Sequence, residues 1–246
     1  MKSNPLLLCI ILLFGMLWLP LGQYPFLLDH WMKVGTYAIP FLLIGAFSFY
    51  QSGSEGGTLR FWGIAFLIAY ILHQFEEHWI DVLGNTYAFY AFNNSFVKGL
   101  LEIDDPDKVI LTKGMILLIN TSLVWMVGLL AIQRSPKHNF PLIAMASITV
   151  VNAFVHIMGS LVSQAYNPGL LTSLLVFIPI YFIFLRRVNL ARNQVIAGII
   201  WAVVGHALMI WGMLATSYLE IIPEWTYYLL LALFSVLPVF LFRSQA

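Results

Sequence analysis

Two glutamates and three histidines are spaced along the sequence so that they could form one metal site. His73, Glu76 and Glu77 end a long apolar run, and at roughly 100° per residue both carboxylates flank the imidazole on one helical face. His156 and His206 are each the ionisable residue of another apolar run. Imidazole and carboxylate groups are usual ligands of Zn²⁺, Fe²⁺ and Mn²⁺. We therefore predict a mononuclear site in which one glutamate joins the three histidines as a ligand.

The other polar groups near these ligands suggest catalytic roles. Whichever of Glu76 and Glu77 is not a ligand would be free to act as general base toward metal-bound water, so both are candidate catalytic residues. Asn152 lies one helical turn before His156 and could orient that imidazole or bind a substrate carbonyl. On an ideal helix, His78 points well away from the face that carries His73, so it is left outside the predicted site.

A polar stripe and a turn further along the chain suggest where a ligand would bind. Asn152, His156 and Ser160 follow at intervals of four, and Tyr166-Asn167-Pro168-Gly169 resembles a helix start with Asn at the cap and Pro at the first helical position. The free N–H groups of such a start could hold an anionic group. Alternatively, the Pro and Gly serve only the geometry of a tight turn. The predicted ligand-binding residues are Asn152, Ser160, Tyr166, Pro168 and Gly169.

The composition of the chain identifies the elements that must position these groups. Of its 246 residues, 61% are hydrophobic and 9% are charged, whereas about 25% are charged in an ordinary soluble domain. The net charge of +1, without basic runs, argues against nucleic acid as a partner. Apolar runs of about 20 residues cross a bilayer as helices. We predict an all-α bundle of eight spans, near residues 5–22, 34–50, 61–79, 109–132, 140–163, 169–185, 194–215 and 223–242.

The distribution of Lys and Arg predicts how the bundle is oriented. With the N-terminus inside, eight of these residues lie in inner segments and four in outer segments, which favours cytoplasmic termini in a plasma or inner membrane. The candidate site then falls in the extracytoplasmic half. Lys2 before the first apolar run is also typical of a signal peptide, whose removal would leave seven spans, but no small-residue cleavage site follows. We treat 1–246 as a single integral membrane domain and 80–108 as an extracytoplasmic loop or cap.

Three short motifs in the chain resemble those of a known family. They are His73-x-x-Glu76-Glu77, Asn152-x-x-x-His156 and Tyr166-x-Pro168-Gly169. Their order and internal spacing are those of the HXXEE-domain family of multi-pass membrane proteins, and together they cover residues 73–169. The resemblance supports the choice of these residues and implies no particular reaction.

Two classes of function fit this constellation. The first is a membrane-embedded metal-dependent enzyme that hydrolyses a lipid-like or other amphipathic substrate, with an iron-dependent redox reaction as a variant. The second is a proton- or cation-coupled transporter, or a ligand-binding membrane protein, that uses the same His/Glu cluster. A purely structural polar cluster is the third reading. Polar residues are scarce in the inner halves of the predicted helices, which favours a one-sided site.

Overall fold

A computed structural model describes residues 25–242, and every regular element in that range is a helix. The predicted span near 5–22 lies outside the described residues, as does the question of whether it is a signal peptide. Eight helical elements follow in chain order. They are α1 (Pro25–Gln51), α2 (Glu55–Trp79), α3 (Ala88–Leu100), α4 (Lys113–Arg134), α5 (Phe140–Ser163), α6 (Leu170–Arg187), α7 (Arg192–Tyr218) and α8 (Glu224–Val239).

Six of these helices, α1, α2 and α4–α7, are long and apolar enough to cross a membrane. This pattern is consistent with an integral membrane protein. The helix α8, predicted as a span over 223–242, is shorter than the other six, and Pro238 lies in a 3₁₀ turn at its end. The all-α prediction is confirmed for the described part of the chain, whereas the count of eight spans is not confirmed. The membrane and the orientation of the termini remain predictions.

The centre of the bundle is the first half of α5. All residues from Phe140 to Val150 are buried there, and α5 packs against α2, α4, α6 and α7. The helices α1 and α6 instead expose apolar side chains, such as Phe41 and Leu175. Apolar side chains on the outside of a bundle are expected where its solvent is lipid. The polar cluster lies where α5 leaves this apolar core, at His156.

Four of the helices contain a π-helical turn, in which the backbone bond spans one residue more than in an α-helix. These turns are Phe75–Trp79 in α2, Asn120–Met126 in α4, Ser173–Phe177 in α6 and Leu214–Tyr218 in α7. The extra residue rotates the side chains that follow it away from their ideal helical positions. The first of the turns carries both glutamates of the HxxEE motif, so their directions differ from those of an ideal α-helix.

The segment predicted as a loop or cap, residues 80–108, contains α3. Asn94 on α3 accepts hydrogen bonds from the backbone N–H groups of Ile110 and Leu111, at 2.8 and 3.0 Å, which ties α3 to the start of α4. The ring of Phe89 lies 5.5 Å from that of His156 and 5.8 Å from that of His78. The helix α3 therefore packs beside the polar cluster, and its extracytoplasmic location remains a prediction.

Candidate metal centre

Three buried imidazoles surround the carboxylate of Glu77. One carboxylate oxygen, Oε1, lies 3.5 Å from His73 Nε2 and 3.2 Å from His156 Nε2. The other oxygen, Oε2, lies 3.3 Å from His78 Nε2. Each of the three histidines is at most 1% exposed, and Glu77 is 5% exposed. A carboxylate at such depth needs nearby polar groups, and the ones beside it among the described residues are these imidazole nitrogens.

The spacing of three of these groups suits a metal ion. His73, Glu77 and His156 each offer one ligand atom, and the three atoms lie within 4.8 Å of one another. At metal–ligand distances of about 2.0–2.2 Å, two ligands of a tetrahedral ion lie roughly 3.3–3.5 Å apart. The separations of 3.2 and 3.5 Å from Glu77 Oε1 are close to that value. The group could therefore hold a metal ion with little movement.

The ring nitrogen of His73 that does not face Glu77, Nδ1, contacts the hydroxyl group of Thr172. Thr172 donates its hydroxyl hydrogen to Glu76 Oε2 at 2.6 Å, so its oxygen is left to accept from His73 Nδ1 at 2.8 Å. A proton on Nδ1 leaves Nε2 as a lone pair directed toward Glu77. In the structure Asn152 Nδ2 lies 2.9 Å from that Nε2, so a bound metal would replace this hydrogen bond.

His156 and Glu77 also each contact a second group through the atom that is not a candidate metal ligand. Asn167 Nδ2 donates to the His156 carbonyl at 3.3 Å, which orients the amide so that Asn167 Oδ1 accepts from His156 Nδ1 at 3.2 Å. Glu77 Oε2 faces His78 Nε2. Each of the three candidate ligands thus has a second group that fixes its direction, which is the usual surrounding of a protein metal site.

Glu76 turns away from this cluster and binds the start of α6. Its carboxylate accepts hydrogen bonds from the backbone N–H groups of Leu171 and Thr172, at 3.0 and 2.8 Å. Tyr166 donates its hydroxyl to the same carboxylate at 2.6 Å. Burial raises the pKa of Tyr166, and Glu76 raises it further, so this hydroxyl stays protonated and remains a donor. The helix start predicted to hold a ligand's anionic group therefore binds the chain's own carboxylate.

Gly169 allows α6 to start directly against both imidazoles. Its φ of +98° lies in the left-handed region. A Cβ atom at this position would lie 2.6 Å from His73 Cε1 and 2.7 Å from His156 Cε1, closer than side chains can approach. The Tyr-x-Pro-Gly motif thus supplies a hydroxyl for Glu76 and the space that the two rings need.

The other predicted residues take positions beside the cluster or away from it. His206 Nε2 lies 3.3 Å from Asn152 Oδ1, and its Nδ1 lies 2.8 Å from the carbonyl of Ala202, so both ring nitrogens face protein groups other than Glu77. Ser160 donates to the carbonyl of Ala165 at 2.5 Å, near the end of α5. His73, Glu77 and His156 come together, whereas His206 and Glu76 have other partners.

His78 contacts Glu77, although an ideal helix would direct it elsewhere. The π-helical turn Phe75–Trp79 brings its ring to Glu77, where it is 1% exposed. Asn120 Nδ2 lies 3.4 Å from His78 Nε2. Asn120 Oδ1 accepts from Gln74 Nε2 at 2.9 Å, and Gln74 Oε1 accepts from Trp125 Nε1 at 2.8 Å. The sequence signal that could have indicated His78 is that five of the six residues from 73 to 78 are polar, which is too many for one helical face.

A cavity of about 80 Å³ lies beside Glu77, and we call it the Glu77 cavity. Its polar lining includes His78, Asn93, Asn152 and His206, and the rest of the wall is mainly apolar. Glu77 itself lines this cavity, so the cavity lies beside the candidate metal site.

The described part of the chain is thus an all-helical bundle with six helices long and apolar enough to cross a membrane. Its buried His/Glu cluster could bind a metal ion. Residues 64–184 match the family described as "Protein of unknown function with HXXEE motif". The matched region, just under half of the chain, resembles this family and includes all three motifs. The resemblance inferred from the sequence is confirmed. The chain has no significant match among curated proteins or among solved structures.

Proposed function

We propose that the protein is a membrane-embedded metal-dependent enzyme in which His73, Glu77 and His156 hold one divalent ion, Zn²⁺, Fe²⁺ or Mn²⁺. The observation that carries the proposal is that both Nε2 atoms face one Glu77 oxygen at metal-like spacing while their Nδ1 atoms are held by Thr172 and Asn167. Three protein ligands with an open fourth position are typical of a catalytic rather than a structural zinc site.

Hydrolysis of an amphipathic substrate is the reaction that this environment favours. A bound ion would lower the pKa of a coordinated water. Asn152 and His206 line the Glu77 cavity and are placed to orient such a water or a substrate carbonyl. Glu76, held by four hydrogen bonds at the start of α6, keeps α6 and Thr172 in place rather than acting as a base.

The first test is the metal content of the full chain purified in detergent. Wild-type protein is expected to hold about one ion per chain by elemental analysis, and His156→Ala is expected to lose it because one of three ligands is removed. His138→Ala is the matched control, since His138 Nε2 contacts the carbonyl of Pro238, far along the chain from the cluster. Wild-type protein without metal after incubation with each ion would overturn the proposal.

The contact between Thr172 and His73 gives a finer prediction. Thr172→Val keeps the shape of the side chain but removes the acceptor for His73 Nδ1, so metal affinity is expected to fall about 10- to 100-fold. Thr172→Ser should restore it. Thr149→Val is the control, because its hydroxyl donates only to the carbonyl of Met145 in a buried part of α5. Competition with a chelator of known affinity measures the effect, and equal affinities for both Val variants would contradict it.

The alternative of a proton- or cation-coupled transporter would need a polar path from Glu77 to the other side of the bundle. Among the described residues between Glu77 and that other side, buried apolar side chains fill the interior. They include Val127, Ala131, Leu142 and Met145, each at most 1% exposed. The polar chain from His78 ends at Trp125. These observations support a one-sided site, and a metal-free wild-type protein would instead favour the transporter or a ligand-binding protein.

A further inference from the structure

Six Lys and Arg residues lie at the end of the bundle opposite the His/Glu cluster, where α2, α5 and α7 begin and α4 and α6 end. They are Arg60, Arg134, Lys137, Arg186, Arg187 and Arg192, and we call them the basic rim. Among the described residues at this end, Glu55 is the one acidic residue. The rim therefore gives one end of the bundle a net positive charge.

Contacts between helices place the basic rim at one level of the bundle. A Cβ atom added at Gly56, near the start of α2, would lie 3.2 Å from Cβ of Pro136, just after α4 ends. The rings of Trp62 in α2 and Phe184 near the end of α6 have centroids 5.5 Å apart. The start of α2 thus lies beside the ends of both α4 and α6, so the cations at these helix ends form one charged surface.

The charge of the basic rim is not neutralised by the described chain. No rim residue forms an ion pair with another described residue, and the buried Nε atom of Arg134 has no hydrogen-bond partner there. At the other end of the bundle, Lys108 pairs with Glu220 and Lys113 with Asp29, each with an N–O distance of 2.5 Å. Buried polar atoms are nearly always paired with protein, water or a ligand, so the rim is suited to an anion from outside the chain.

Exposed apolar side chains lead directly to the cations of the basic rim. On α6, Phe182 and Ile183 are 52% and 49% exposed, and Arg186 and Arg187 follow them by four residues on the same helical face. On α7, Ile196 is 49% exposed and lies one turn after the arginine that begins the helix. A phospholipid has the same order of parts, apolar chains followed by a phosphate, whereas a free anion would need no apolar neighbours.

We propose that the basic rim binds the headgroups of anionic phospholipids. Guanidinium groups donate hydrogen bonds to the phosphate oxygens, and the acyl chains lie along the exposed side chains of α6 and α7. Clusters of about four to eight Lys and Arg residues beside membrane helices are typical of such lipid binding. A lipid whose headgroup also carries a positive charge is bound less well, because the rim repels that charge. The proposal is independent of the candidate metal centre, which lies at the other end of α2.

Two lipids with identical chains test the assignment: dioleoylphosphatidylglycerol, which is anionic, and dioleoylphosphatidylcholine, which has no net charge. The full chain in an uncharged detergent is incubated with equal amounts of both and separated from free lipid by size-exclusion chromatography. Mass spectrometry then quantifies the retained lipid. The anionic lipid is expected in roughly 10-fold excess or more at low salt, and in smaller excess at high salt because salt screens the attraction. Equal retention of the two lipids at low salt would overturn the proposal.

A third probe, inorganic phosphate, separates a lipid site from a site for free anions. Phosphate has no acyl chains, so replacing chloride by phosphate at constant ionic strength is expected to leave the retained phosphatidylglycerol unchanged. Displacement of the lipid by phosphate under these conditions would show that the rim binds free anions, and the lipid assignment would be wrong.

Removing three cations of the basic rim tests where the lipid binds. A variant that combines Arg186→Gln, Arg187→Gln and Arg192→Gln changes exposed side chains only, so it should fold, and its retention of the two lipids is expected to become nearly equal. Replacing the same three residues by Lys keeps the charge and should keep most of the excess. An undiminished excess in the Gln variant would place the lipid elsewhere and contradict the proposal.

A matched variant removes three charges from the other end of the bundle. The combination of Lys33→Gln, Lys98→Gln and Lys108→Gln is expected to keep the wild-type excess of the anionic lipid, with thermal unfolding as the check that both variants are folded. An equal loss of the excess in both variants would mean that net charge rather than the basic rim selects the lipid, which would also overturn the proposal. Metal content is expected to be the same in both variants, so this proposal and the metal centre fail separately.

Discussion

Gly169→Ala is expected to lose most of its bound metal and to unfold more readily than the wild type. The new Cβ atom would lie 2.6 and 2.7 Å from Cε1 of the two ligand histidines, and the backbone there has φ +98°. Left-handed backbone costs about 1–2 kcal/mol for a residue with a side chain, and overpacking a buried site adds about 1–3 kcal/mol. The combined loss of roughly 2–5 kcal/mol is a large share of the about 5–15 kcal/mol by which folded domains are usually stable.

Gly84→Ala separates the two causes of that loss. Gly84 has a similar φ of +86°, but nothing lies within 4 Å of a Cβ added there. It is therefore expected to show only the backbone cost of about 1–2 kcal/mol and to keep the wild-type metal content. Thermal unfolding in detergent and elemental analysis measure the two effects. Equal behaviour of the two variants would mean that contact with the histidine rings is unimportant.

Much of the architecture could be predicted from hydropathy, because apolar runs of membrane length have few other structures available to them. The helices α4 to α7 lie close to their predicted spans. The helix α1 begins at Pro25 rather than near 34, since the prediction used uncharged windows and this helix includes Asp29 and Lys33. Asp29 of α1 forms an ion pair with Lys113, the first residue of α4. This pairing allows Asp29 and Lys113 to lie near the ends of two apolar helices.

The site was harder to predict because it depends on local backbone geometry and on contacts between distant residues. Intervals of three and four residues from His73 placed both glutamates on one face, but the π-helical turn directs Glu76 to α6 and brings His78 to Glu77. The regular spacing of residues along an α-helix does not predict the rotation of side chains that a π-helical turn introduces. The pairing of His73 with Thr172, 99 residues later, likewise follows from how α6 docks.

The different surroundings of Glu76 and Glu77 imply different roles for the two halves of the family motif. Glu76 accepts four hydrogen bonds from three residues at and before the start of α6. The described residues that pair with Glu77 are His73, His78 and His156, and each does so through its imidazole. The first glutamate therefore holds two helices together, while the second is the candidate ligand.

Substituting each glutamate with Gln should consequently give opposite results. Glu76→Gln replaces one acceptor oxygen by an NH₂ group that faces donors, so an unfolding free energy about 3–5 kcal/mol lower is expected, with any folded protein still binding metal. Glu77→Gln should remain folded. Changing a group that only orients a metal ligand lowers metal affinity by up to about 100-fold. Glu77→Gln should lower it by more than that, because a ligand itself is lost. Chelator competition and thermal unfolding on both variants decide the matter. Loss of metal from folded Glu76→Gln, together with retention by Glu77→Gln, would reverse the assignment, since the ion would then have to lie on the α6 side of the motif.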